Sequence, residues 1–216
     1  MKNERGLIFA ADVLDGKEAI TITKKISEYI DGVKINYPLI LSSGLGVIEN
    51  LSNITSVIAD FKIADVPHIN KLISELAFKA GSSGIICHGF TGKESLKSCI
   101  QAGKKFGGEI YMVAEMSHPG AEKFIHPSVD ELCNLALEMG VDGVVAPGND
   151  TKRLKNIREK IGDKKILSPG IGAQGGDVKK AINAGSDYLI VGRSIYNSES
   201  PIKATKSIIE SIKNAK

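Results

Sequence analysis

Charged residues at the ends of short apolar runs are where this sequence could do chemistry. Asp60-Phe61-Lys62-Ile63-Ala64-Asp65 closes an apolar run that begins at Ser56, Asp12 closes the run from Leu7, and Lys34 stands in the run Val33 to Asn36. Asp60 and Lys62 are two apart, so on a regular strand they share one face. On a surface, such a pair is a salt bridge of little consequence. Inside an apolar frame, with Asp12 and Lys34 at the same height, four charges are costly to bury unless they are fully paired or used.

Two glycine-rich turns come late in the chain. Ser168-Pro169-Gly170-Ile171-Gly172-Ala173-Gln174-Gly175-Gly176-Asp177 follows one apolar run, and Gly192-Arg193-Ser194 follows the next. Glycines let backbone N–H groups approach anionic oxygens, and Arg193 adds a forked cationic donor. Either turn alone reads as an ordinary loop; the pair, one carrying an arginine, favours a phosphate. Met116-Ser117-His118-Pro119-Gly120 offers a hydroxyl suited to a polar ring edge, and reads equally as a plain turn. His68 and His126 sit beside prolines in expected loops, and His88 ends a run beside Cys87. None forms a metal-binding spacing. Cys87, Cys99 and Cys133 are odd in number and widely spaced, which suits a reduced cytoplasm better than disulfides or zinc.

Positioning these groups requires a frame, and the runs supply one. Strands are expected at Leu7–Asp12, Val33–Asn36, Ser56–Lys62, Gly84–His88, Glu109–Glu115, Gly143–Ala146, Lys165–Ser168 and Tyr188–Val191. All are apolar on both parities, as strands covered on both faces must be. Helical periodicity lies between them: Ile22, Ile26 and Ile30; then Ile69, Leu72, Ile73, Leu76, Ala77 and Ala80; then Val129, Leu132, Cys133, Ala136 and Met139. Leu154, Ile157 and Ile161 mark a further helix, as do Val178, Ala181 and Ile182, and Ile202, Ile208, Ile209 and Ile212. Gly81, Gly103, Gly140 and Gly185 stand where helices should end. Eight strand–helix units imply a (β/α)8 TIM barrel occupying residues 1–216 as a single domain. A doubly wound open sheet is the alternative, but no G-x-G-x-x-G follows the first strand. In a barrel, chemistry gathers at the C-terminal strand ends, and phosphate sits at the loops after strands 7 and 8. With 42% apolar residues there is ample Ile, Leu and Val for a core, which excludes disorder, and 28 basic against 25 acidic side chains argue against charge-driven nucleic-acid binding. No apolar run spans a bilayer, and Met1–Gly6 has no leader pattern, so the chain reads as cytoplasmic with no membrane partner.

Together these residues resemble one family, the short, single-domain orotidine 5′-phosphate decarboxylases. The likeness rests on the D-x-K-x-x-D of Asp60 to Asp65, with Ala11-Asp12, Val33-Lys34, Ser117-His118-Pro119-Gly120, Pro169 to Asp177 and Val191-Gly192-Arg193-Ser194-Ile195-Tyr196. It spans nearly the whole chain. It implies loss of carbon dioxide from orotidine 5′-phosphate to give uridine 5′-phosphate, the last step of de novo UMP synthesis, with no metal or organic cofactor. It also implies a homodimer with sites at the interface. By the family's motifs, Lys62 donates the proton to pyrimidine carbon 6, Asp60 lies beside the leaving carboxylate, and Lys34 bridges ribose and Asp60. Asp65 comes from the partner subunit, Asp12 binds a ribose hydroxyl, and Ser117 reads the pyrimidine edge. Gln174 reaches base and phosphate from a mobile loop containing Pro169, Gly170, Gly172 and Gly175, and Gly192 with Arg193 holds the phosphate.

The chemistry is consistent with that assignment. Decarboxylation leaves a poorly delocalised carbanion, which a fixed ammonium stabilises and then protonates. One departure is Ile69, where the family commonly has a threonine that reaches ribose across the interface; its place on the apolar helix face points to packing. Two rivals share the scaffold. A Mg²⁺-dependent sugar-phosphate lyase of the hexulose-phosphate synthase type would need a carboxylate where this chain has Lys34. A non-catalytic phosphate-binding barrel should not have kept all four charges.

Overall fold

The structure is a computed structural model that describes residues 6–215. Residues 1–5 and 216, including most of the segment read for a leader, lie outside the described residues.

Eight parallel strands close into a barrel in sequence order. They are β1 (Gly6–Ala10), β2 (Gly32–Asn36), β3 (Val57–Ile63), β4 (Gly84–His88), β5 (Glu109–Val113), β6 (Gly143–Val145), β7 (Lys165–Ser168) and β8 (Tyr188–Val191). Their apolar character on both parities has a direct structural cause. Leu7, Phe9, Val33, Ile35, Ala59, Ile85 and Leu189 face outward under the helices. Ile8, Ala10, Ile58, Ile86, Tyr111, Val113, Leu167 and Ile190 fill the barrel interior as a second cluster. Burying both faces leaves no polar parity.

The helices are α1 (Gly16–Ile26), α2 (Tyr37–Ser43), α3 (Gly46–Ser52), α4 (Pro67–Lys79), α5 (Lys93–Phe106), α6 (Ala121–Phe124), α7 (Val129–Met139), α8 (Thr151–Ile161), α9 (Val178–Asn183), α10 (Arg193–Tyr196) and α11 (Pro201–Lys213). A 3₁₀ turn at His126–Ser128 precedes α7. Among the described residues the pattern is therefore richer than one helix per strand: β2, β5 and β8 are each followed by extra short helices. None of these helices is long and apolar enough to cross a membrane. Side chains of Asp15, Asp150, Asp177 and Ser200 accept backbone N–H bonds at the starts of α1, α8, α9 and α11.

Three expectations are corrected. β1 ends at Ala10 and β5 at Val113, so Asp12 and Glu115 lie two residues past their strands. Gly103 does not end a helix but lies inside α5, which closes at left-handed Gly107. A Cβ on Gly103 would fall 2.9 Å from the Gly108 carbonyl oxygen, so its role is close helix–sheet approach. The largest change is in α4. Its buried residues are Asn70, Ser74, Ala77 and Phe78, while Leu72 and Leu76 are 45% and 52% exposed. Ile69 is only partly buried and starts this outward stripe rather than packing in the core. Asn70 reaches the interior by spending its polar groups, accepting from the Asp65 N–H at 2.8 Å and donating to the Ser95 carbonyl at 3.4 Å.

Candidate active site

Adjacent parallel strands place the four charges together. The register pairs Ala10 with Lys34 and Asn36 with Asp60, so β1, β2 and β3 reach the rim at one height. Lys34 Nζ lies 3.1 Å from Asp12 Oδ1 and 3.2 Å from Asp60 Oδ2. Lys62 Nζ donates to both Asp60 oxygens, at 2.8 and 2.9 Å. Asn36 Nδ2 donates to Asp12 Oδ1 at 2.8 Å. The result is an unbroken line Asp12–Lys34–Asp60–Lys62. Lys34 and Asp60 side chains are each 8% exposed and Lys62 is 39% exposed, so Lys62 is the cation offered to a ligand.

Burial opposes charge on Asp60, but Lys34 and Lys62 outweigh it and hold the carboxyl below its usual range. Burial likewise opposes charge on Lys34, and Asp60 with Asp12 outweighs it, raising the ammonium's pKa. The buried pair is ionised at any ordinary pH. His88, at the end of β4, is pushed down to about 4 by burial and by the neighbouring Lys62 charge, so its ring is neutral. It tilts against Phe90 with centroids 4.8 Å apart.

Regular pleating is not what aims Lys62. The β3–β4 ladder shifts register between Ala59 and Ile63, and Lys62 has φ 43°, the one positive-φ non-glycine among the described residues. A lysine held there is strained by about 1–3 kcal/mol, which the surrounding ladder and the ion pairs must offset. Asp60 and Lys62 meet on the barrel-mouth side as their spacing predicts, but through an irregular stretch of β3 rather than regular pleating.

The charges form one wall of a cavity of about 270 Å³ at the barrel mouth. Ile86, Val113, Val145 and Ile190 form an apolar floor, with Met116 and Ser117 beside it. Opposite the charges stand Pro169, Gly170, Ile171, Ala173, Gln174, Gly192 and Arg193. Ser117 Oγ donates to Gln174 Oε1 at 3.2 Å, bridging the loops after β5 and β7 across the mouth. A Cβ on Gly192 would lie 3.1 Å from the Ala10 carbonyl, a tight contact, so glycine eases the close approach of β8's end to β1.

Asp12, Lys34, Asp60, Lys62, Ser117, Pro169, Gly170, Gln174, Gly192 and Arg193 are therefore brought together, and three other sequence candidates stand apart. Gly172 and Gly175 shape the loop: Gly172 N–H donates to the Gly176 carbonyl at 2.9 Å, and Gly175 N–H to the Gly172 carbonyl at 2.7 Å. Asp65 is exposed on the outer rim, its carboxylate accepting from the Val66 N–H at 2.6 Å. Sequence reasoning missed Asn36, although it shares parity with Lys34 at the end of β2. It also gave no role to Glu115, a charge in an apolar run that lines the cavity while only 1% exposed. No group of three or more His, Cys, Asp or Glu among the described residues is arranged to hold a metal.

Comparison with known proteins agrees with this geometry. The family model described as Orotidine 5′-phosphate decarboxylase / HUMPS family matches residues 5–208. The orotidine 5′-phosphate decarboxylase of Methanococcoides burtonii is 48% identical over 211 residues, covering 97% of this chain and 98% of the relative. That of Pyrococcus furiosus is 45% identical, covering 96% and 97%. Among solved structures, the Methanocaldococcus jannaschii enzyme complexed with the inhibitor BMP superposes with TM-score 0.93 at 39% identity, covering 97% of this chain and 99% of that one. The Pyrococcus horikoshii enzyme gives TM-score 0.90 at 44% identity, covering 96% and 99%. A closed eight-stranded barrel with this charged rim, matched along nearly its whole length, belongs to the orotidine 5′-phosphate decarboxylase / HUMPS family.

Proposed function

We propose that this chain converts orotidine 5′-phosphate to uridine 5′-phosphate and carbon dioxide at the barrel mouth, without a metal, with Lys62 as the acid. The observation that carries this is the line Asp12–Lys34–Asp60–Lys62, ending in a half-exposed ammonium held by two bonds at 2.8 and 2.9 Å. Arg193 and the Gly192 turn receive the phosphate, and Pro169, Gly170 and Gln174 close over it. Ser117 and Gln174 meet the pyrimidine edge, and Asp12 with Lys34 meets the ribose.

The bond from carbon 6 to the carboxylate carbon breaks and its electron pair stays on carbon 6. The Lys62 ammonium stabilises that charge, gives it a proton, and is reprotonated from water. Asp60 aims Lys62, and its own negative charge lies where the substrate carboxylate must leave. Phosphate binding far from the reacting carbon supplies the energy that closes the loop over the base. Lys34, seated between the two carboxylates, repels any divalent cation from them, which disfavours the Mg²⁺-dependent sugar-phosphate reading.

Asp65 stands off the cavity just before α4, whose exposed apolar residues are Leu72 and Leu76, with exposed Val66 at its start. A second copy covering this stripe would bring each Asp65 toward the other's site, so the working unit is a homodimer of one-domain barrels. Leu72→Glu should shift sedimentation toward monomer and lower activity; an unchanged dimer with full activity would refute this use of Asp65. Free, buried Cys87, Cys99 and Cys133 suit the cytoplasm.

The reaction is tested by ultraviolet absorbance of orotidine 5′-phosphate with purified protein in excess EDTA. Conversion to uridine 5′-phosphate is expected. No conversion in EDTA, with turnover of a sugar phosphate on adding Mg²⁺, would replace this reading with the metal-dependent one.

A further inference from the structure

Behind the base-facing wall lies an ion cluster that the reaction does not use. Glu115 is 1% exposed, and its Oε1 accepts from Arg153 Nη1 at 3.0 Å and contacts His126 Nδ1 at 2.8 Å. Arg153 also donates through Nη2 to Glu122 at 2.6 Å and pairs through Nε with Asp150 at 3.2 Å. Asp150 is the N-cap of α8 and accepts from Arg153's own N–H at 3.1 Å. One guanidinium from α8 therefore holds three carboxylates, two of them in the segment after β5.

That segment carries Met116 and Ser117, immediately after Glu115, and both line the cavity. It is tied at Glu115, at Glu122 and at His126, and between the first two ties Ser117 meets Gln174 at 3.2 Å. A planar fork with fixed donors can hold three partners at set angles; a lysine cannot.

We propose that Arg153 is a positioning residue for the reaction: it staples the Glu115–His126 segment so that Ser117 is presented to the base and to Gln174. This rests on the proposed reading of Ser117 as the base-facing hydroxyl. It assigns Arg153 no contact with substrate; its influence passes through Glu115 and Glu122.

The test is a double-mutant cycle on kcat/KM for orotidine 5′-phosphate, with hydrogen exchange of residues 116–125 measured in parallel. Arg153→Ala should lower kcat/KM by about a hundredfold, the scale of an ångström-sized misplacement. Arg153→Lys should fall between it and wild type. Ser117→Ala combined with Arg153→Ala should be no worse than the weaker single variant, because the staple has nothing left to present. Exchange in 116–125 should quicken in Arg153→Ala while β1 stays protected. Multiplicative losses, or unchanged exchange in that segment, would overturn the proposal. Should Arg153→Ala fail to fold, Glu122→Gln on the exposed rim removes one tie and is read in the same way. If wild type does not turn over orotidine 5′-phosphate at all, the reading of the base site fails, and the exchange measurement alone judges the staple.

Discussion

Replacing Asp60 with asparagine keeps the side chain's shape and removes the one negative charge between two ammoniums. Lys34 lies 3.2 Å from it and Lys62 2.8 Å. At an effective dielectric constant of about 20, those separations correspond to attractions of about 5 and about 6 kcal/mol. Much of this is offset by the desolvation the carboxylate no longer suffers. What remains is the penalty of leaving a buried cation short of its partner, about 3–5 kcal/mol. Lys34 keeps Asp12, so a loss of about 3 kcal/mol in folding stability is expected from urea unfolding at neutral pH. Because the folded-state pKa of Asp60 is lowered, its stabilisation is present above the ordinary carboxylate pKa of about 3.9 and fades as pH falls below it. The gap between wild type and variant should narrow accordingly in acid. Lys62 keeps at most the amide oxygen as an acceptor and loses the charge and the second bond that aim it, so if that alignment is worth a comparable amount in the transition state, kcat should fall by about two powers of ten. Ultraviolet loss of substrate at saturation reads this directly. A variant as stable as wild type, with kcat within a few-fold, would refute the argument that Asp60 is the pivot of the charge line.

Two other outcomes follow from the geometry. His88 titrates near 6.5 when unfolded and near 4 when folded, so the stability it leaves intact above pH 6.5 is lost progressively as pH falls toward 4. Wild type should lose about 2 kcal/mol more than His88→Gln between pH 7 and pH 5, measured as urea midpoints; parallel pH curves would contradict it. Arg158 bonds the carbonyls of Gly185, Gly162 and Lys164 and the carboxylate of Asp187, closing α8 against the start of β8. Arg158→Ala should cost about 2–4 kcal/mol in thermal or urea unfolding while leaving KM unchanged, and a variant of full stability would show these bonds to be idle.

The barrel was legible because closed parallel sheets leave a simple trace: apolar runs without parity, separated by helical periods. β4, β7 and β8 fall on the expected residues, where the apolar run and the ladder end together. β1 falls short of Asp12 because chain direction at the rim is set by loop bonds rather than by hydropathy. The charge line was legible from residue types at strand ends, but not its geometry, since no pattern announces that Lys62 would adopt φ 43°. The α4 error has the opposite origin. Its apolar stripe is real, but hydropathy does not say which surface covers it; Asn70 and Ser74 face the interior by bonding their polar atoms locally. Arg153 was not singled out: its pairing with Asp150 is local, but its bonds to Glu115 and Glu122 join segments that only the closed barrel brings together.

The central claim is that the ammonium of Lys62 supplies the proton at carbon 6. The most direct measurement is the rate of uridine 5′-phosphate formation by wild type and by Lys62→Ala, in EDTA, at matched and verified folding. Rapid conversion by wild type and a loss of at least about a hundredfold in the variant are expected for a removed general acid. A Lys62→Ala protein that decarboxylates at the wild-type rate would contradict the account.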